Sequence, residues 1–351
     1  MKNDSFETLS CPMPIMHHDT IQLAHGAGGT LSFDLIERLF LPRFGNDMLN
    51  RLEDQAVLEF PGQRLAFTTD SFVVDPLFFP GGDIGGLSIY GTVNDICMSG
   101  ATPLYVSVAF ILEEGLPMET LHRIVIRMEE AAKESGVMVV TGDTKVVDKG
   151  SCDKLFINTT GIGVVPEGVN ISVNNLNVGD RILLSGTIAD HGMAVMTSRK
   201  GLSFQSQVQS DCAALNGLVE VMLEQTKDIH AMRDPTRGGL ATTLNEFARS
   251  SKVGIQLNGD QIPVNPEVQG ACEVLGIDPL YVANEGKLVA VVLPGEAENV
   301  LKAMRKHKYG REAVIIGEVV EEHPGIVAMS TGFGAERIID MSVGEQLPRI
   351  C

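Results

Sequence analysis

The stretch DIGGLSIYGTVNDICMSGATPLYVSVAFIL, residues 83–112, places a helical pattern directly before an apolar strand pattern. Residues 84–98 follow Asp83, which can cap a helix, and stop before Gly100, so a helix is predicted over that range. The apolar run at 104–112 predicts a strand. Helices that alternate with strands are typical of α/β chains, and the same alternation continues on both sides of this stretch.

The alternation extends over two halves of the chain. Helical periodicity begins near Leu31, and the other predictions for the first half are strands at 65–74, 137–140 and 155–165 and an amphipathic helix at 118–135. The Asn- and Gly-rich segment 166–179 is the best candidate for a linker. In the second half, strands are predicted at 181–185, 254–257, 287–293 and 313–320, and helices at 191–199, 212–225, 238–250, 267–275 and 296–306.

The length of 351 residues fits two domains of about 150 residues each. We therefore predict an extension at 1–20, α/β domains at 21–170 and 171–340, and a flexible tail at 341–351. Hydrophobic residues make up 44% and charged residues 21%, which argues against a disordered or fibrous chain. The net charge of −18 argues against nucleic acid as a partner, because phosphates require a basic surface.

The cysteines indicate the compartment. The closest two of the six are Cys97 and Cys152, so there is no CxxC pair, and scattered cysteines suit a reducing cytosol. No apolar run is long enough to span a bilayer, and the first twenty residues lack the apolar region of a secretory signal. We therefore expect a cytoplasmic protein. Cys351 stands out because it is the last residue.

A glycine-rich segment precedes the first predicted helix. It reads His25-Gly26-Ala27-Gly28-Gly29-Thr30, and its backbone N–H groups could bind an anion. It has neither the Lys-Ser/Thr ending of a Walker loop nor the spacing of a dinucleotide fingerprint. By itself the segment is equally compatible with a plain turn.

Four aspartates lie in small-residue contexts: Asp54, Asp70, Asp95 and Asp143. Asp70 and Asp143 lie at or just after predicted strands, where α/β folds gather their sites. Each one alone is most simply a turn former or a helix cap. Together they predict a site for Mg²⁺ and a nucleotide, because hard cations prefer carboxylate oxygens.

Two more motifs lie in the second half. The segment Arg233-Asp234-Pro235-Thr236-Arg237-Gly238-Gly239 opens a predicted helix. It could bind an anion through Arg233, Arg237, Gly238 and Gly239, although Asp234 or Thr236 could simply cap that helix. Asn284-Glu285-Gly286-Lys287 places a carboxylate before an apolar strand, and a surface turn is the simpler interpretation.

Taken together, the motifs resemble the HypE family of hydrogenase maturation proteins. The segments that carry the resemblance are HGAGG (25–29), TTDSFVVDPLFFPGGDIG (68–85), GTVNDICMSGA (91–101), VTGDTKVV (140–147), KLFINTTGIG (154–163), RDPTRGG (233–239), ANEGKL (283–288) and PRIC (348–351). The resemblance covers residues 21–351. The wider superfamily includes aminoimidazole ribonucleotide synthetase, selenophosphate synthetase and thiamine-monophosphate kinase, which lack the terminal PRIC. Residues 1–20 have no counterpart, and Gly86 stands where Lys is often expected.

The resemblance implies a two-domain aminoimidazole-ribonucleotide-synthetase-like fold, α/β or α+β, whose N-terminal domain forms a homodimer. It also implies an ATP-dependent enzyme that dehydrates an S-carbamoyl group on its own terminal cysteine to a thiocyanate, the source of the cyanide ligand of [NiFe] hydrogenase. Its partners would be a carbamoyltransferase and the scaffold proteins that accept cyanide. The implied ATP-binding residues are His25, Gly26, Gly28, Gly29, Asp70, Asp95, Asp143, Thr144, Arg237, Gly238 and Gly239.

The implied chemistry assigns roles to individual residues. Cys351 carries the carbamoyl group, and ATP phosphorylates its oxygen so that phosphate can leave. Lys145 would stabilise the developing charge, and Glu285 would remove the N–H proton. Asp54, Asp70, Asp95 and Asp143 would bind Mg²⁺.

Two other functions compete with this one. A small-molecule kinase or synthetase of the same superfamily would have no use for Cys351. A non-enzymatic carrier of a group on the tail would have no use for the acidic residues. The combination of both features favours the dehydratase.

Overall fold

The computed structural model describes residues 29–44, 46–47, 49–199, 208–332, 334–341, 347 and 349–351. It begins with α1 (Thr30–Leu35), a π-helical segment (Ile36–Phe40) and α2 (Leu41–Phe44), followed by a 3₁₀ turn (Leu49–Arg51). The elements of the N-terminal domain follow in the order β1 (Ala56–Phe60), β2 (Gln63–Phe72), β3 (Phe78–Phe79), β4 (Gly82–Asp83), α3 (Ile84–Met98), β5 (Thr102–Glu113), α4 (Met118–Ser135), β6 (Met138–Val147) and β7 (Leu155–Val165).

Five of these strands form one sheet in the order β1-β2-β7-β5-β6. Neighbouring strands are antiparallel except for β5 and β6, which are parallel and joined through α4. The two-residue strands β3 and β4 pair as a small hairpin that leads into α3. At its end, Asp83 accepts hydrogen bonds from the N–H groups of Gly85 and Gly86, at 2.9 and 3.0 Å, which satisfies free donors of the first helical turn.

The buried helix α3 packs directly on the sheet. Gly161 on β7 permits this close approach, because an added Cβ would lie 2.5 Å from Ile96 Cδ1. Thr159, two residues earlier, donates a hydrogen bond to the Ser88 carbonyl of α3 at 3.0 Å. We call this side of the sheet the helix face and the opposite side the open face.

The open face carries exposed apolar side chains. Phe67 on β2, Tyr105 and Ile111 on β5 and Met138 on β6 are each at least 40% exposed. They alternate along their strands with residues that face α3, as the pleat of a sheet requires. In the part of the chain that the structure describes, α3 and α4 pack with the sheet, and the open face presents its apolar residues to solvent.

The C-terminal domain is built on a second mixed sheet. Its elements are β8 (Arg181–Leu184), α5 (Asp190–Thr197), α6 (Asn216–Leu223), β9 (Ile229–Arg233), α7 (Gly239–Ser251), β10 (Gly254–Asn258), α8 (Pro266–Leu275), β11 (Val289–Val292), α9 (Ala297–Met304), β12 (Val314–Val320), β13 (Val327–Ser330) and β14 (Glu336–Ile339). The strand order is β14-β13-β10-β12-β8-β11-β9, and only β10 and β13 are parallel neighbours. Because antiparallel pairs dominate both sheets, α+β is the better of the two predicted descriptions.

The segment between the two sheets is packed against both domains. Val169 and Ile171 are buried in the core that the domains share, and Val173 and Leu176 in the core of the second sheet. The Ser172 N–H donates to the His230 carbonyl at 3.0 Å. This composition-based candidate for a linker is therefore an ordered connection.

Several predicted elements have the bounds that the sequence indicated, and others differ. The helices predicted at 84–98 and 118–135 and the strand at 155–165 coincide with α3, α4 and β7. The strand predicted at 137–140 was too short, because β6 extends to Val147. The helix predicted at 212–225 was too long, since α6 spans Asn216–Leu223. Strands β1, β9, β13 and β14 were not predicted.

The described residues of the tail lie against the rest of the chain. Leu347 and Ile350 are buried, and Cys351 is half-buried. The Val73 N–H donates to the Cys351 carbonyl oxygen at 3.1 Å, and the Asp75 N–H donates to the Arg349 carbonyl at 3.2 Å. The end of the predicted flexible tail is thus docked beside the C-terminal end of β2.

Candidate active site

Five carboxyl groups from both domains converge where α3 and β2 meet the second domain; we call this region the acidic cleft. Asp54 lies in the turn before β1, Asp70 in β2 and Asp95 in the last turns of α3. Asp234 follows β9, and Glu285 lies in the loop before β11. Asp70 shares the helix face with Thr159, its cross-strand neighbour, which explains how a strand residue reaches a helix residue such as Asp95.

The carboxyl groups of the acidic cleft disfavour one another's charge. Burial and then the neighbouring charges of Asp70, Asp234 and Asp54 raise the pKa of Asp95 well above its usual value. Burial, Asp54 and Asp70 do the same for Asp234. The pKa values of Asp54 and Asp70 are raised mainly by burial. Such a group of carboxyls retains protons unless positive charge is brought to it.

Thr68 holds Asp95 close to the Asp54 turn. Thr68 Oγ1 lies 2.8 Å from Asp95 Oδ2 and 2.9 Å from the Asp54 carbonyl oxygen. The Thr68 hydroxyl has one proton and can donate to only one of these acceptors. Thr68 therefore links the Asp95 carboxyl to the backbone of the turn that carries Asp54.

Two arginines supply positive charge. Arg233 Nε lies 2.8 Å from Asp54 Oδ1, and its Nη1 pairs with Glu246 of α7. Arg237 lowers the pKa of Asp70 against the effect of burial. With five carboxyl groups and two guanidinium groups, the acidic cleft is suited to bind further cations.

Glu285 is a buried carboxyl without a hydrogen-bond partner for Oε1. It is 3% exposed, and burial, Asp234, Asp211 and Asp70 raise its pKa well above the usual range, while Arg237 opposes this. Its backbone is fixed, since the Glu285 N–H donates to Asp211 Oδ1 at 3.1 Å. Burial of an unpartnered carboxyl costs stability and is typical of functional sites.

Neighbouring side chains hold the Glu285 loop in place. Asn284 Nδ2 donates to the Pro235 carbonyl at 2.8 Å, which ties this loop to the Asp234 turn. Asn94 Nδ2 of α3, in the other domain, donates to the Glu285 carbonyl at 3.3 Å and to the Ala213 carbonyl at 3.0 Å. The loop is therefore fixed to both domains and does not behave as a free surface turn.

The start of α7 requires its glycines. Gly238 and Gly239 have φ values of +74° and +61°, and an added Cβ on Gly239 would lie 2.6 Å from the Leu280 carbonyl oxygen. Neither predicted cap forms, because α7 has Gly238 as its N-cap and no side chain bonds there. The Gly239 N–H donates to the Thr236 carbonyl at 3.0 Å, so an anion at this end would be bound by the other N–H groups of the first turn.

A cavity of about 690 Å³ adjoins the acidic cleft on the side of α1. Its lining includes Phe33, Glu53, Gln55, Arg233, Arg237 and Met341. Gln55 Oε1 is buried without a hydrogen-bond partner. A volume of this size with an apolar wall and polar groups is typical of a small-molecule site.

The predicted residues of strand β6 lie elsewhere. Asp143 and Lys145 are 62% and 70% exposed and pair with each other at 2.9 Å. Gly142 shares the helix face with Val108 and Thr159, so Asp143 and Lys145 point to the open face. Asp143 therefore lies within β6 and not at a strand end, and within one chain it does not join the other three aspartates. Thr144 lies on the same edge strand and is exposed.

The tail places the last residue beside the acidic cleft. The negative charge of Cys351 is the largest influence that raises the pKa of Arg237, ahead of Asp70 and Glu285. Cys351 and Glu285 therefore both lie within the field of one guanidinium group. The structure brings together Cys351, Glu285, Asp54, Asp70, Asp95 and Arg237. His25, Gly26 and Gly28 lie outside the described residues, and Gly29 precedes α1.

The chemistry of the acidic cleft fits a divalent cation bound with phosphates. Among the described residues no three His, Cys, Asp or Glu side chains lie close enough together to hold a metal as they stand. The raised pKa values of four aspartates and the unpartnered Glu285 Oε1 nevertheless indicate carboxyls that a cation would stabilise. Asp54, Asp70, Asp95 and Asp234 could provide its oxygen ligands.

Sequence reasoning missed Asp234 as a site residue. Asp234 was given only the role of a helix cap, although it is 6% exposed and faces Asp54 and Asp70. The available signal was its place in RDPTRGG, directly between the two arginines. Recognising its partners requires knowing that β9 ends opposite α3.

Two domain families match the chain. Residues 52–165 match "AIR synthase related protein, N-terminal domain", and residues 177–329 match the C-terminal domain of the same name. The fold and the acidic cleft thus define a member of the AIR synthase related proteins. Among the described helices, none is long and apolar enough to cross a membrane.

More similar relatives narrow the family. "Carbamoyl dehydratase HypE" of Azotobacter vinelandii is 53% identical over 336 residues, which cover 96% of this chain and 98% of the relative. The crystal structure of a HypE–HypF complex matches with 51% identity and a TM-score of 0.84, covering 88% of this chain and 99% of that one. A HypE structure in complex with ATP matches with 49% identity and a TM-score of 0.80, covering 95% and 100%. The chain belongs to the HypE family of carbamoyl dehydratases.

Proposed function

We propose that the chain is an ATP-dependent dehydratase that converts an S-carbamoyl group on its own Cys351 into a thiocyanate. The observation that carries the proposal is the docked tail, which places the terminal cysteine beside the acidic cleft and Arg237. A kinase of the same fold has no use for such a residue. The overall reaction is Cys–S–C(O)NH₂ + ATP → Cys–S–C≡N + ADP + hydrogen phosphate + H⁺, so the oxygen of the amide leaves in the phosphate.

The reaction needs activation of a poor leaving group. Transfer of a phosphoryl group to the carbamoyl oxygen makes phosphate the leaving group, and loss of the N–H protons completes the C≡N bond. Phosphoryl transfer asks mainly for positioning and neutralisation of charge. Mg²⁺ held by aspartates of the acidic cleft would supply that neutralisation, and the N–H groups at the start of α7 together with Arg237, Gly238 and Gly239 suit phosphate oxygens.

Glu285 is the proposed base. Burial and three neighbouring carboxyls raise the pKa of its carboxyl well above the usual value, which favours the protonated form. Arg237 lowers this pKa but does not offset burial, so Glu285 can act as a base only once further positive charge, such as Mg²⁺ in the acidic cleft, favours its ionised form. A base whose pKa lies above its usual value is the stronger proton acceptor once it is ionised.

The open face supports a homodimer. Phe67, Tyr105, Ile111 and Met138 form an apolar surface on a sheet that the described helices cover on one face only. A second copy of the chain that packs its own open face there would bury these residues by a two-fold arrangement. β6 is the edge strand of the sheet, and we propose that in this dimer Asp143 and Lys145 reach past that edge to the acidic cleft of the other copy.

Partners follow from the chemistry of the tail. The carbamoyl group must come from a carbamoyltransferase, and the relative solved as a HypE–HypF complex supports such a partner. The thiocyanate must pass to hydrogenase maturation scaffold proteins that accept cyanide. All of these steps are proposed to take place in the cytoplasm.

Mass spectrometry of the C-terminal peptide tests the proposal. Incubation with the carbamoyl donor system should add a carbamoyl group to Cys351, and ATP should then remove the mass of one water. Cys351→Ala should show neither change, whereas Cys152→Ala, a half-buried cysteine outside the acidic cleft, should show both. A carbamoyl or nitrile mass on Cys351→Ala would exclude the proposal. Product formed from a free substrate by Cys351→Ala would instead favour the kinase or synthetase.

A further inference from the structure

Among the described residues, Val73, Asp75, His191 and Arg199 form hydrogen bonds to carbonyl oxygens of the tail, and we call these four residues the tail seat. The N–H groups of Val73 and Asp75 donate to the carbonyl oxygens of Cys351 and Arg349. Arg199 Nη2 donates to the Arg349 carbonyl at 2.8 Å. His191 Nε2 lies 2.9 Å from the Ile350 carbonyl oxygen. Val73 and Asp75 belong to the N-terminal domain, whereas His191 lies in α5 and Arg199 lies two residues after the end of that helix.

His191 is the buried member of the tail seat. It lies in the first turn of α5, is 0% exposed, and packs edge-on against the Phe79 ring at 5.4 Å. Burial lowers its pKa, so the ring is neutral near pH 7, although Asp211 opposes this effect. A neutral ring with a carbonyl oxygen at Nε2 must carry its proton there, because a carbonyl only accepts.

Ser210 fixes that tautomer. His191 Nδ1 lies 2.8 Å from Ser210 Oγ, so the hydroxyl donates to the ring. Ser210 Oγ in turn accepts from the Cys212 N–H at 3.1 Å, which leaves its own proton for the ring. The hydrogen bonds therefore run in one direction, from the Cys212 backbone through Ser210 and His191 to the tail.

The same segment holds the proposed base. Asp211, between Ser210 and Cys212, accepts from the Glu285 N–H through Oδ1 and from Lys287 Nζ through Oδ2, both at 3.1 Å. Residues 210–212 are thus hydrogen-bonded to the Glu285 loop on one side and, through His191, to Ile350 on the other. A common support of this kind sets the distance between Glu285 and the group on Cys351.

We propose that His191 is a positioning residue that seats the C-terminal tail, through its Nε2–H bond to the Ile350 carbonyl, so that Cys351 faces Glu285. This role rests on the proposed function for its effect on turnover, but the seating of the tail is a property of the chain alone. His191 does not touch the reacting atoms.

A pair of substitutions distinguishes the hydrogen bond made by Nε2 of the His191 ring from the one made by Nδ1. In His191→Gln the side-chain amide nitrogen reaches the position of Nε2 and can still donate to Ile350. In His191→Asn the shorter amide reaches only the position of Nδ1, so the bond to Ser210 can remain while the bond to the tail is lost. If His191 only packed in the core, His191→Gln would not be expected to keep the tail in place while His191→Asn releases it.

Hydrogen exchange at the Val73 and Asp75 amides measures tail seating without any chemistry. One hydrogen bond of ordinary strength changes such an equilibrium by roughly two- to tenfold. His191→Asn should therefore exchange these two amides faster by roughly that factor, and its nitrile yield per bound ATP should fall with ATP affinity unchanged. His191→Gln should restore both.

Wild-type exchange rates in His191→Asn would overturn the proposal. So would folded His191→Asn and His191→Gln variants that show the same acceleration of exchange and the same fall in nitrile yield. If His191→Asn does not fold, Ser210→Ala keeps the imidazole and removes the group that fixes its tautomer. It should accelerate exchange at the same two amides, and unchanged rates there would equally overturn the proposal. Absence of nitrile in the wild-type chain would instead contradict the proposed function and leave the exchange result valid.

Discussion

Asp70 and Asp143 lie in the same sheet, at positions one residue apart in the strand register, and point to opposite faces. Their environments are therefore opposite. Asp70 on β2 faces α3 inside the acidic cleft, where burial raises its pKa. Asp143 on β6 points to the open face, where a hydrogen bond from Lys145 lowers its pKa. Three strand spacings separate β2 from β6, or about 14 Å. Similar sequence contexts therefore give different results: the buried Asp70 carboxyl would be stabilised by a cation, whereas the exposed Asp143 carboxyl is already paired with Lys145.

This contrast assigns different tasks to the two faces. On the helix face, carboxyls are held close together at a cost in stability, which is typical of a site that binds a cation. On the open face, an exposed ion pair on an edge strand contributes little to stability. Asp143 and Lys145 can act in the chemistry only if another copy of the chain brings them to an acidic cleft.

The largest expected effect lies on the helix face. Glu285→Gln keeps the shape of the side chain but cannot take up a proton at neutral pH. ATP binding and carbamoyl loading should persist, while nitrile formation falls by about 10²–10⁴-fold, the usual contribution of a general base. Mass spectrometry of the C-terminal peptide should then show a trapped carbamoyl or phosphorylated species. Glu273→Gln on the exposed side of α8 is the control, and a wild-type nitrile yield from Glu285→Gln would remove Glu285 from the mechanism.

A mixed dimer tests whether the two faces meet between copies. Asp70→Asn and Asp143→Asn should each be inactive alone. If Asp143 serves the acidic cleft of the other copy, random mixing places one complete site in each mixed dimer and restores about a quarter of wild-type turnover. If Asp143 serves its own chain, the mixture stays inactive, and that outcome would contradict the proposed arrangement. The matched mixture of Asp143→Asn with Lys145→Ala should stay inactive in either case.

The sequence predicted the elements that depend on local pattern. The helix α3 has a capping residue and a terminating glycine, and α4 has a strong apolar stripe, so their bounds could be read directly. The strand β6 was cut short, because its exposed polar residues Asp143 and Lys145 interrupt the apolar run. The face on which Asp143 lies depends on register, and a shift of one residue reverses it. Register at β5 and β6 includes an irregularity between Val106 and Ser107 that no local pattern predicts.

The acidic cleft could be predicted only in part, because it also depends on contacts between residues far apart in the sequence. Asp54, Asp70, Asp95 and Glu285 were singled out by their types and by the family resemblance, and the structure brings them together. Asp234 needed knowledge of contacts between domains. The docking of the tail on Val73 and His191 also depends on pairs far apart in sequence, which composition and periodicity do not encode.

The pH dependence of stability sharpens the contrast between the faces. Raised pKa values at Asp95, Asp234 and Glu285 mean that the folded chain binds more protons than the unfolded chain. Their contribution to stability is fully present below the pKa values of the unfolded chain, at about pH 4. It is lost as the pH rises through the raised pKa values of the folded chain. Chemical denaturation without divalent cations should therefore give a free energy of unfolding that falls from about pH 5 towards pH 8. Mg²⁺ with ATP should reduce this slope, and a stability that rises over the same range would contradict it.

The smallest expected effect is the change in the free energy of unfolding when a single buried or exposed carboxyl is replaced by a neutral amide. Asp95→Asn removes a carboxyl whose charged form is disfavoured by burial and by three other aspartates, and its amide can keep the contact with Thr68. It should raise the free energy of unfolding of the ligand-free chain by about 1–3 kcal/mol while abolishing Mg²⁺–ATP binding. Asp180→Asn is the matched buried control, since Asp180 Oδ2 accepts from the Asn177 N–H and from His230 Nδ1. That substitution should destabilise by about 1–2 kcal/mol, and Asp143→Asn should leave the melting temperature unchanged. A loss of stability in Asp95→Asn would show that this carboxyl is already satisfied within the chain, and the acidic cleft would then have no need of a cation.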